Sequence, residues 1–434
     1  MTVRSGQAPA QGEGRVGGCA ASGESNRLRR SFLFLQGVCS PFFARLADQL
    51  QADGHPVFKI NFNAGDLLQW GGRPAWNYRA GLAGLPDFVD DKYRRFGITD
   101  QILFGDRRPV HRPAVARAAA LGIRNHVFEE GYLRPYWVTL EREGVNGHSL
   151  LPRDPDWFRQ VGEHLPDYGN GKPFASPFIV RAAHDVAYHL AGITNPLLFK
   201  EYRTHAPVNA AVEYAGYLRR FSLLRLQQPK DKALIDGLVA QRVPFYLLPL
   251  QLSSDAQIRD HSRFDDMNGV MEFVLESFAR HAPGEARLVI KNHPLDTGLV
   301  NYRRVIRELE QRCGLAGRID YLESGDLGKL LPPARGVVTV NSTLGCQSVG
   351  VGCPTVTLGD PIYNLPGLTF QGPLDDFWRS GAKPDRRLFR CFRNTVIHTT
   401  QVNGGFYCRG GISMAVANCH RLLAADRSPL DELL

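Results

Sequence analysis

Polar side chains follow two apolar runs of this 434-residue chain, at the points where the runs end. Lys291–Pro294 comes directly after Leu288–Ile290, and Asn341–Thr343 comes directly after Val337–Val340. Lysine, histidine and hydroxyl side chains can neutralise or hydrogen-bond a phosphate. Because open α/β sheets bind ligands at the carboxyl ends of their parallel strands, the two segments predict the two sides of a nucleotide site. A nucleotide-using enzyme is the hypothesis that follows.

The first segment carries a histidine that could serve catalysis. His293 precedes a proline, which keeps its backbone extended. Such a histidine can donate a hydrogen bond to a phosphate, or protonate a leaving group near neutral pH. A purely structural histidine is the alternative.

The second segment, Asn341–Thr343, is predicted to cap a helix over Leu344–Val349. Its hydroxyls and the first amide groups of that helix could cradle an anion, helped by the helix dipole. An ordinary helix cap has the same sequence, so the segment gains weight only from its spacing after His293.

Two adjacent carboxylates form a third candidate. Glu129 and Glu130 follow the predicted strand that ends at Phe128, and Gly131 allows a turn. A carboxylate here could act as a nucleophile or a general base. Nearby Arg134 could hold a carboxylated substrate through two parallel hydrogen bonds. A solvated turn, or a structural pair of glutamate and arginine, is the alternative.

Polar residues also follow other predicted strands. Together with Arg134, those of the first half are predicted to face the cleft from the acceptor side: Gln36, Gly37, Asn61, Asn63 and Asp66. In the second half, Gln251 and Asp255 are predicted to contact a donor or to line the hinge. A plain loop role is an equal alternative for each of these residues.

Alternating strand and helix patterns indicate the fold class. Strands are predicted at 31–36, 56–62, 101–105 and 124–128, and again at 245–248, 287–290, 319–322, 337–340 and 355–358. Between the two sets, residues 150–235 are rich in proline and aromatic residues, with helical apolar spacing. The sequence therefore predicts an α/β protein in which two Rossmann-like domains face a central cleft, the GT-B-like architecture, with a helical insertion between them.

The predicted organisation has five parts. They are a disordered N-terminal tail (1–28), an N-terminal Rossmann-like acceptor domain (29–150), a helical insertion or linker (151–240), a C-terminal Rossmann-like donor domain (241–400) and a C-terminal helical segment (401–434). The tail lacks the apolar core of a secretory signal. No apolar run approaches the ~20 residues that cross a bilayer, which argues against an integral membrane protein.

Composition narrows the class of partner. The formal net charge of +9 and the pI near 9.2 favour nucleic acid, a nucleotide-activated small molecule or an acidic membrane surface. A merely solvated basic face is the alternative. No nucleic-acid-binding signature is present, so nucleic acid is not a predicted partner. The eight cysteines form no C-x-x-C pair, which favours free thiols in a cytoplasmic protein over a zinc site or a disulfide framework.

Taken together, the motifs resemble the capsule polysaccharide biosynthesis family of the KpsS/LipB type. The resemblance covers roughly residues 30–400 and rests on segments in this order: Asn61–Asp66, Phe128–Tyr132, Pro249–Asp255, Lys291–Pro294 and Asn341–Thr343. No single segment is specific, but the ordered set is. Members of this family are retaining β-Kdo transferases with a GT-B-like fold, and they take Kdo from CMP-β-Kdo.

The resemblance implies that the histidine-proline and serine-threonine elements bind the phosphate of CMP. The predicted donor site then comprises Lys291, Asn292, His293, Gln251, Asp255, Asn341, Ser342 and Thr343. No metal or other cofactor is expected, because the cationic side chains and the helix start can stabilise the departing CMP.

The resemblance also implies that the acidic turn supplies the catalytic carboxylate. Retention favours two displacements through a glycosyl-enzyme adduct. Glu130 is the first choice for the nucleophile and Glu129 the second. The related chain-extending enzymes carry aspartate where Glu130 stands, so the residue departs from their pattern.

The implied partners are CMP-Kdo, a phosphatidylglycerol or lyso-phosphatidylglycerol acceptor, and other capsule assembly proteins, including the chain-extending Kdo transferase. The implied location is peripheral, on the cytoplasmic face of the inner membrane. Two alternatives remain open. One is a non-catalytic capsule polysaccharide export or scaffold protein, and the other is a GT-B transferase that uses CMP-sialic acid or a UDP-sugar.

Overall fold

The computed structural model describes residues 29–202, 210–252 and 263–434. The predicted tail and Asp255 lie outside these ranges. The described strands, numbered in chain order, are β1 (Phe32–Phe34), β2 (Val57–Asn61), β3 (Trp76–Asn77), β4 (Asp100–Phe104), β5 (Arg124–Glu130), β6 (Trp137–Arg142), β7 (Phe245–Pro249), β8 (Arg287–Lys291), β9 (Ile319–Leu322), β10 (Gly336–Thr339), β11 (Thr355–Thr357) and β12 (Gln401–Asn403).

The helices of the same ranges are α1 (Phe42–Ala52), α2 (Ala64–Trp70), α3 (Leu85–Phe96), α4 (Arg112–Ala120), α5 (Pro155–His164), α6 (Phe178–Gly192), α7 (Asn195–Leu198), α8 (Ala210–Ala240), α9 (Met267–His281), α10 (Tyr302–Arg312), α11 (Leu327–Leu330), α12 (Thr343–Gly350), α13 (Leu374–Ser380), α14 (Arg386–Thr400), α15 (Arg409–Ala424) and α16 (Pro429–Leu433). Short 3₁₀ turns lie at Leu82–Gly84 and Asn146–His148. None of these helices is both long and apolar enough to cross a membrane.

The first sheet has the strand order β12-β6-β5-β4-β1-β2-β3. Its central strands β2, β1, β4 and β5 run parallel, which confirms the four strands predicted in the first half. β6 pairs antiparallel with β5, and β12 pairs antiparallel with β6. The sequence patterns predict neither of these two antiparallel strands.

The first sheet lies between two helical layers, because successive buried side chains of its strands point alternately to its two faces. Phe32 and Phe34 pack into the core on the side of α1, whereas Leu33 packs into the core on the side of α3 and α4. All three side chains are fully buried. A strand whose successive side chains enter two different cores reads as a continuous apolar run, because both faces of a parallel sheet are covered.

The second sheet has the order β11-β10-β7-β8-β9, and every pair in it is parallel. Its strands confirm the five predicted ones to within a residue or two at their ends. Leu288 and Ile290 of β8 face α9 and α10, whereas Val289 faces α8. Two parallel-sheet α/β units joined by helices confirm the predicted α/β, GT-B-like architecture.

Helices alone occupy the described part of residues 151–240, namely α5 to α8. The chain end then returns to the first sheet. Residues 401–403, predicted as part of a helical segment, form the edge strand β12, and α15 packs on α1 in the first core. Gln401 follows α14 without a proline or glycine, so the sequence carries no sign of this change from helix to strand.

Candidate active site

The loops that follow β7, β8 and β10 leave the second sheet at its carboxyl edge. Gln251 Oε1 accepts a 3.0 Å hydrogen bond from the amide of Asn341, which joins the loops after β7 and β10. β8 lies on the other side of β7, so its loop is about 10 Å from that of β10 by strand spacing. The structure thus brings the described donor-site candidates to one sheet edge.

Ser342 begins α12, as predicted. Its Oγ accepts a 3.2 Å hydrogen bond from the amide of Leu344. The backbone carbonyl of Ser342 accepts a 2.6 Å bond from the hydroxyl of Tyr363. A Cβ on Gly345 would lie 2.1 Å from that hydroxyl, so only glycine lets the first turn of α12 lie against Tyr363. The amides of Leu344 and Gly345 are thus bonded to Ser342, and Thr343 at the helix start lines the neighbouring cavity.

His293 is a neutral hydrogen-bond donor in this arrangement. Its Nδ1 accepts a 3.1 Å bond from the amide of Leu295, which leaves the ring proton on Nε2. Burial, followed by the charges of Lys291, Arg134, Arg220 and Arg181, lowers the pKa of His293 to about 4. Near neutral pH the imidazole is therefore uncharged, and protonating a leaving group is not the role that this environment favours.

Arg220 of α8 holds the His293 loop, and sequence reasoning missed it. Its guanidinium donates to the carbonyl oxygens of His293 (3.0 Å), Pro294 (2.9 Å) and Asp296 (2.8 Å). Its side chain is nearly fully buried. No sequence motif marks this arginine, because its partners belong to a different element far along the chain.

Lys291 and Asn292 lie behind the histidine. The side-chain amide Nδ2 of Asn292 donates to Glu323 Oε2 at 3.1 Å, and the Lys291 ammonium donates to the backbone carbonyl of Asn292 at 3.3 Å. Burial and the charge of Arg220 lower the pKa of Lys291. This cationic loop suits an anionic ligand, because a bound phosphate would supply the counter-charge that the buried ammonium lacks.

The acidic turn lies at the carboxyl end of β5, in the first sheet. Glu129 Oε1 accepts a 2.9 Å bond from the amide of Glu130. Glu130 Oε1 lies 3.2 Å from the guanidinium of Arg181 and 3.4 Å from the hydroxyl of Tyr407. The guanidinium stacks over the Tyr407 ring at 4.7 Å. Arg181 and Tyr407, which sequence reasoning missed, thus orient one of the two predicted carboxylates.

Close backbone approach explains the glycine of the turn. A Cβ on Gly131 would lie 2.0 Å from the carbonyl oxygen of Trp137 at the start of β6. Arg134 is exposed, and its Nε donates to the carbonyl of Gly131 at 3.3 Å. Its guanidinium is therefore available at the mouth of the cleft.

The acidic turn and the donor-side loops face each other. One narrow cavity is lined by Tyr132 and Leu133, which follow the turn, and by Asn341 and Thr343 from the second sheet. Arg134 and Arg181 lie close enough to lower the pKa of His293 across the gap. The segment after the acidic turn and the start of α12 therefore meet in this cavity, whereas Glu129, Glu130 and His293 are not among its lining residues.

The predicted acceptor residues form an internal network instead of lining an open surface. Gln36 Nε2 donates to Asp66 Oδ2 at 3.3 Å, and Asn63 Oδ1 caps α2 by accepting from the amide of Asp66 at 2.8 Å. The hydroxyl of Tyr188, on α6, bridges this group by donating to Asp66 Oδ1 at 3.1 Å and accepting from Asn63 at 2.7 Å.

The remaining two acceptor candidates also make internal bonds. Asn61 donates to Asn77 at 3.0 Å, and the carbonyl of Gly37 accepts from Arg108 at 2.9 Å. The side chains of Gln36, Asn61, Asn63 and Asp66 are all buried. Their role toward an acceptor stays a prediction.

The family model described as capsule polysaccharide biosynthesis protein matches residues 99–407. The chain belongs to that family. It is 37% identical over 382 residues to the capsule polysaccharide export protein KpsS of Escherichia coli, covering 87% of this chain and 97% of that protein. It is 35% identical over 388 residues to the capsule polysaccharide modification protein LipB of Neisseria meningitidis serogroup B, covering 87% of this chain and 91% of LipB.

Solved structures of similar fold include glycosyltransferases. A β-Kdo 2,7 transferase, KpsC of Thermosulfurimonas dismutans, is 15% identical, with a TM-score of 0.40 and coverage of 83% of this chain and 89% of that chain. HepE of Anabaena, in complex with UDP-glucose, is 10% identical, with a TM-score of 0.29 and coverage of 92% and 96%. Neither likeness bears on the reaction of this chain.

No group of three histidine, cysteine, aspartate or glutamate side chains within residues 29–202, 210–252 and 263–434 could hold a metal ion. The seven cysteines of these ranges are free thiols, as predicted. Burial raises the pKa of Cys346, which lines the cleft cavity, to about 12, so this thiol is inert near neutral pH.

A buried acid lies beneath the acidic turn of this capsule family member. Glu141 accepts hydrogen bonds from the hydroxyls of Tyr132 (2.6 Å) and Ser149. Burial raises the pKa of Glu141 from its usual value of 4.5 to about 7, against the lowering effect of these two bonds. The turn is therefore supported by a carboxyl group that is largely protonated at pH 6.

This acid should make stability depend on pH. The pKa of Glu141 is higher in the folded protein than in the unfolded one. The buried carboxyl therefore does not lower the unfolding free energy below about pH 4.5, but it lowers it progressively as the pH rises from there through about 7. We expect Glu141→Gln to remove roughly 3 kcal/mol of the fall in unfolding free energy between pH 5 and pH 8, measured by urea denaturation. Glu285→Gln, at an exposed site, is the control and should leave the slope unchanged. Equal slopes for Glu141→Gln and the wild type would contradict the assignment.

Proposed function

We propose that this protein is a glycosyltransferase of capsule assembly that transfers Kdo from CMP-β-Kdo to a phosphatidylglycerol or lyso-phosphatidylglycerol acceptor, with retention, to begin the β-Kdo linker. The observation that carries the proposal is the arginine-bound carboxylate Glu130, whose partner Arg181 lies, with Arg134, close enough to His293 to lower the pKa of the imidazole. Both a phosphate and a sugar carboxylate are anions that such a cleft attracts. The family membership supports the capsule context.

Donor binding in this proposal uses the edge of the second sheet. The CMP phosphate lies beside the start of α12 and accepts from His293 Nε2, while Lys291 and the arginines neutralise its charge. The neutral imidazole is suited to this task because it needs no proton uptake when the donor binds. Arg134 and Arg181 are placed to hold the carboxylate of Kdo.

The reaction proceeds by two displacements. Glu130 attacks the anomeric carbon of Kdo, the bond to CMP breaks, and CMP leaves with the electron pair on its phosphate. The acceptor hydroxyl then loses its proton and displaces Glu130, which restores the original configuration. Arg181 and Tyr407 keep one oxygen of Glu130 engaged, so the other is free to face the sugar. Glu129 remains the second choice for the nucleophile.

The helix start gives a direct prediction for donor binding. Ser342→Ala removes the N-cap of α12 and one hydroxyl at the phosphate position. We expect the Kd for CMP, measured by calorimetry, to rise about tenfold. Ser428→Ala is the matched control, because Ser428 caps α16 and lies away from the cleft. It should lower stability by about 1 kcal/mol and leave the Kd unchanged. Equal affinities for both variants would show that α12 does not hold the phosphate.

Transfer itself can be measured with the whole chain. The protein is incubated with CMP-Kdo generated in situ and a fluorescent phosphatidylglycerol, and mass spectrometry then detects the gain of one Kdo. Competition by CMP, and none by UDP, identifies the donor class. No transfer with any acceptor would favour a non-catalytic export or scaffold role, and competition by UDP would favour a UDP-sugar.

The proposal includes the location and partners of the protein. A lipid acceptor requires contact with a membrane surface, so we place the protein on the cytoplasmic face of the inner membrane. Its product would be the substrate of the chain-extending Kdo transferase. The net charge of +9 suits an anionic surface.

A further inference from the structure

Three helices beside the cleft, α6, α7 and α8, present apolar side chains to solvent. On α6 and α7 these are Ile179, Val186, Leu190, Ile193 and Leu197, and on α8 they are Val212, Leu218, Leu223 and Leu226. We call these nine residues the apolar face. Ile179 and Ile193 are each 72% exposed, Leu218 is 73% exposed and Leu197 is 79% exposed. A cluster of this size on a water-soluble surface marks an interaction site.

The exposed positions of α6 form one continuous helix face. They recur at intervals of three, four and seven residues, and Ala183 fills the position between Ile179 and Val186. Solvent-facing helix sides are normally polar, and this one carries no charge. The opposite side of α6 packs on the first domain through Arg181, which pairs with Glu130, and Tyr188, which bonds Asp66.

α8 lies beside α6, so the exposed residues belong to one surface. The rings of Phe178 and Phe221 meet at 6.5 Å, and the hydroxyl of Tyr214 donates to Asp185 at 3.1 Å. These pairs run in opposite directions along the two helices, which makes the helices antiparallel. The other side of α8 holds the His293 loop through Arg220.

The charges around the apolar face are mainly positive. Apart from Arg181 and Arg220, which make inner contacts, residues 178–200 and 210–230 carry the exposed cations Lys200, Arg219, Arg225 and Lys230, against the acids Asp185 and Glu213. Arg219 and Arg225 are exposed on α8 between Leu218 and Leu226. Apolar side chains interleaved with exposed arginines are typical of helices that lie in the headgroup region of an anionic membrane.

We propose that the apolar face docks on an anionic phospholipid bilayer, with the leucine and isoleucine side chains inserted between acyl chains and Arg219 and Arg225 on the headgroup phosphates. The inference deepens the proposed function, since it names the surface by which a lipid acceptor is reached. It assigns α6 a double role, because the same helix carries Arg181 to the Glu130 carboxylate on its inner side.

The bilayer fits the apolar face better than this chain's own tail does. Residues 1–28 contain no run of apolar side chains that could cover nine such residues. A protein partner would leave the arginines to find acidic side chains, whereas a bilayer supplies apolar depth and surface phosphate together. A second copy of the chain would place its own arginines opposite these.

Vesicle co-sedimentation of the full chain tests the proposal. We expect binding to vesicles of phosphatidylglycerol mixed with phosphatidylcholine, and weaker binding to phosphatidylcholine alone. The variant Ile179→Ser/Leu190→Ser/Ile193→Ser should lower the affinity for the mixed vesicles at least about tenfold. The control Leu82→Ser/Leu121→Ser/Leu150→Ser changes three leucines of the first domain that are about half exposed, and it should bind as the wild type does.

A charge variant separates the two contributions. Arg219→Gln/Arg225→Gln should reduce binding to the mixed vesicles about tenfold and weaken its dependence on salt, with little change on phosphatidylcholine. Unchanged binding by the serine variant, or no vesicle binding by the wild type, would overturn the proposal. So would a wild-type dimer in light scattering that the serine variant loses, because a second copy would then cover the apolar face.

The outcome is independent of whether transfer occurs. With a short-chain phosphatidylglycerol dissolved as monomers, the serine variant should transfer Kdo at the wild-type rate, since no bilayer is involved. Vesicle binding without transfer by the wild type would defeat the proposed function and leave the docking surface standing. Transfer to the monomeric acceptor without vesicle binding would support the proposed function and overturn the docking surface.

Discussion

Replacing Glu130 with glutamine should lower the rate of Kdo transfer by at least about a thousandfold and leave the Kd for CMP within about twofold. Glutamine has nearly the same shape but cannot attack the anomeric carbon, so the first displacement fails. The carboxylate is on the first domain, and CMP binds at the edge of the second, so donor affinity should not change. Initial rates with CMP-Kdo and calorimetry with CMP measure the two quantities.

The variant should fold normally. Glu130 is partly exposed, and its pair with Arg181 is partly exposed too, so losing the charge costs little stability. Glu129→Gln is the matched control: it is the adjacent carboxylate, but its oxygen accepts from the amide of Glu130. Its loss should reduce the rate by tenfold or so, through a disturbed turn. If Glu129→Gln abolished transfer and Glu130→Gln kept its turnover, Glu130 would not be the nucleophile.

A covalent adduct would identify the nucleophile more directly. With CMP-Kdo and no acceptor, the wild type should accumulate a protein species heavier by one Kdo, detected by intact-mass spectrometry. Glu130→Gln should give no such species. If the adduct persisted in Glu130→Gln and mapped to Glu129, then Glu129 would be the nucleophile and Glu130 the supporting carboxylate.

The sheets were predictable because their strands are buried on both faces. Phe32–Phe34 and Leu288–Ile290 read as apolar runs wherever the fold places them, and each is bounded by polar residues or turns. Strand β6, which lies between β5 and β12, carries Glu141 and Arg142 within its alternation, so it lacks that signal. β12 gains its strand state from pairing with β6, which is a long-range contact that no local pattern reports.

Half of the candidate site was predictable for a related reason. The cap at Ser342 and the position of His293 follow from local sequence at strand ends, and the structure places both at one sheet edge. Their environment does not follow. The low pKa of His293 comes from burial and from cations of three other elements, and the partners of Glu130 come from α6 and from the loop before α15. Gln36 and Asp66 also occur at strand ends, yet they bond each other.

The second large effect is expected at Arg220, where packing and donor binding meet. Arg220→Met keeps much of the buried side-chain volume but removes three hydrogen bonds to the carbonyls of His293, Pro294 and Asp296. Buried carbonyls without a donor are costly, and Glu323 loses one of its two cationic partners, since Arg303 remains. We expect a loss of about 3–5 kcal/mol in the unfolding free energy, measured by urea denaturation.

The same substitution should weaken CMP binding at least about tenfold, because the released loop no longer presents His293 Nε2 in a fixed direction. Arg219→Met is the matched control: this neighbour is exposed and makes a single 3.3 Å bond to the carbonyl of Gly298. It should change stability by no more than about 0.5 kcal/mol and leave the Kd as it is. If Arg220→Met were destabilised but still bound CMP with wild-type affinity, the His293 loop would not contribute to donor binding. The phosphate would then have to be held by α12 alone, and the neutral His293 would have a structural role.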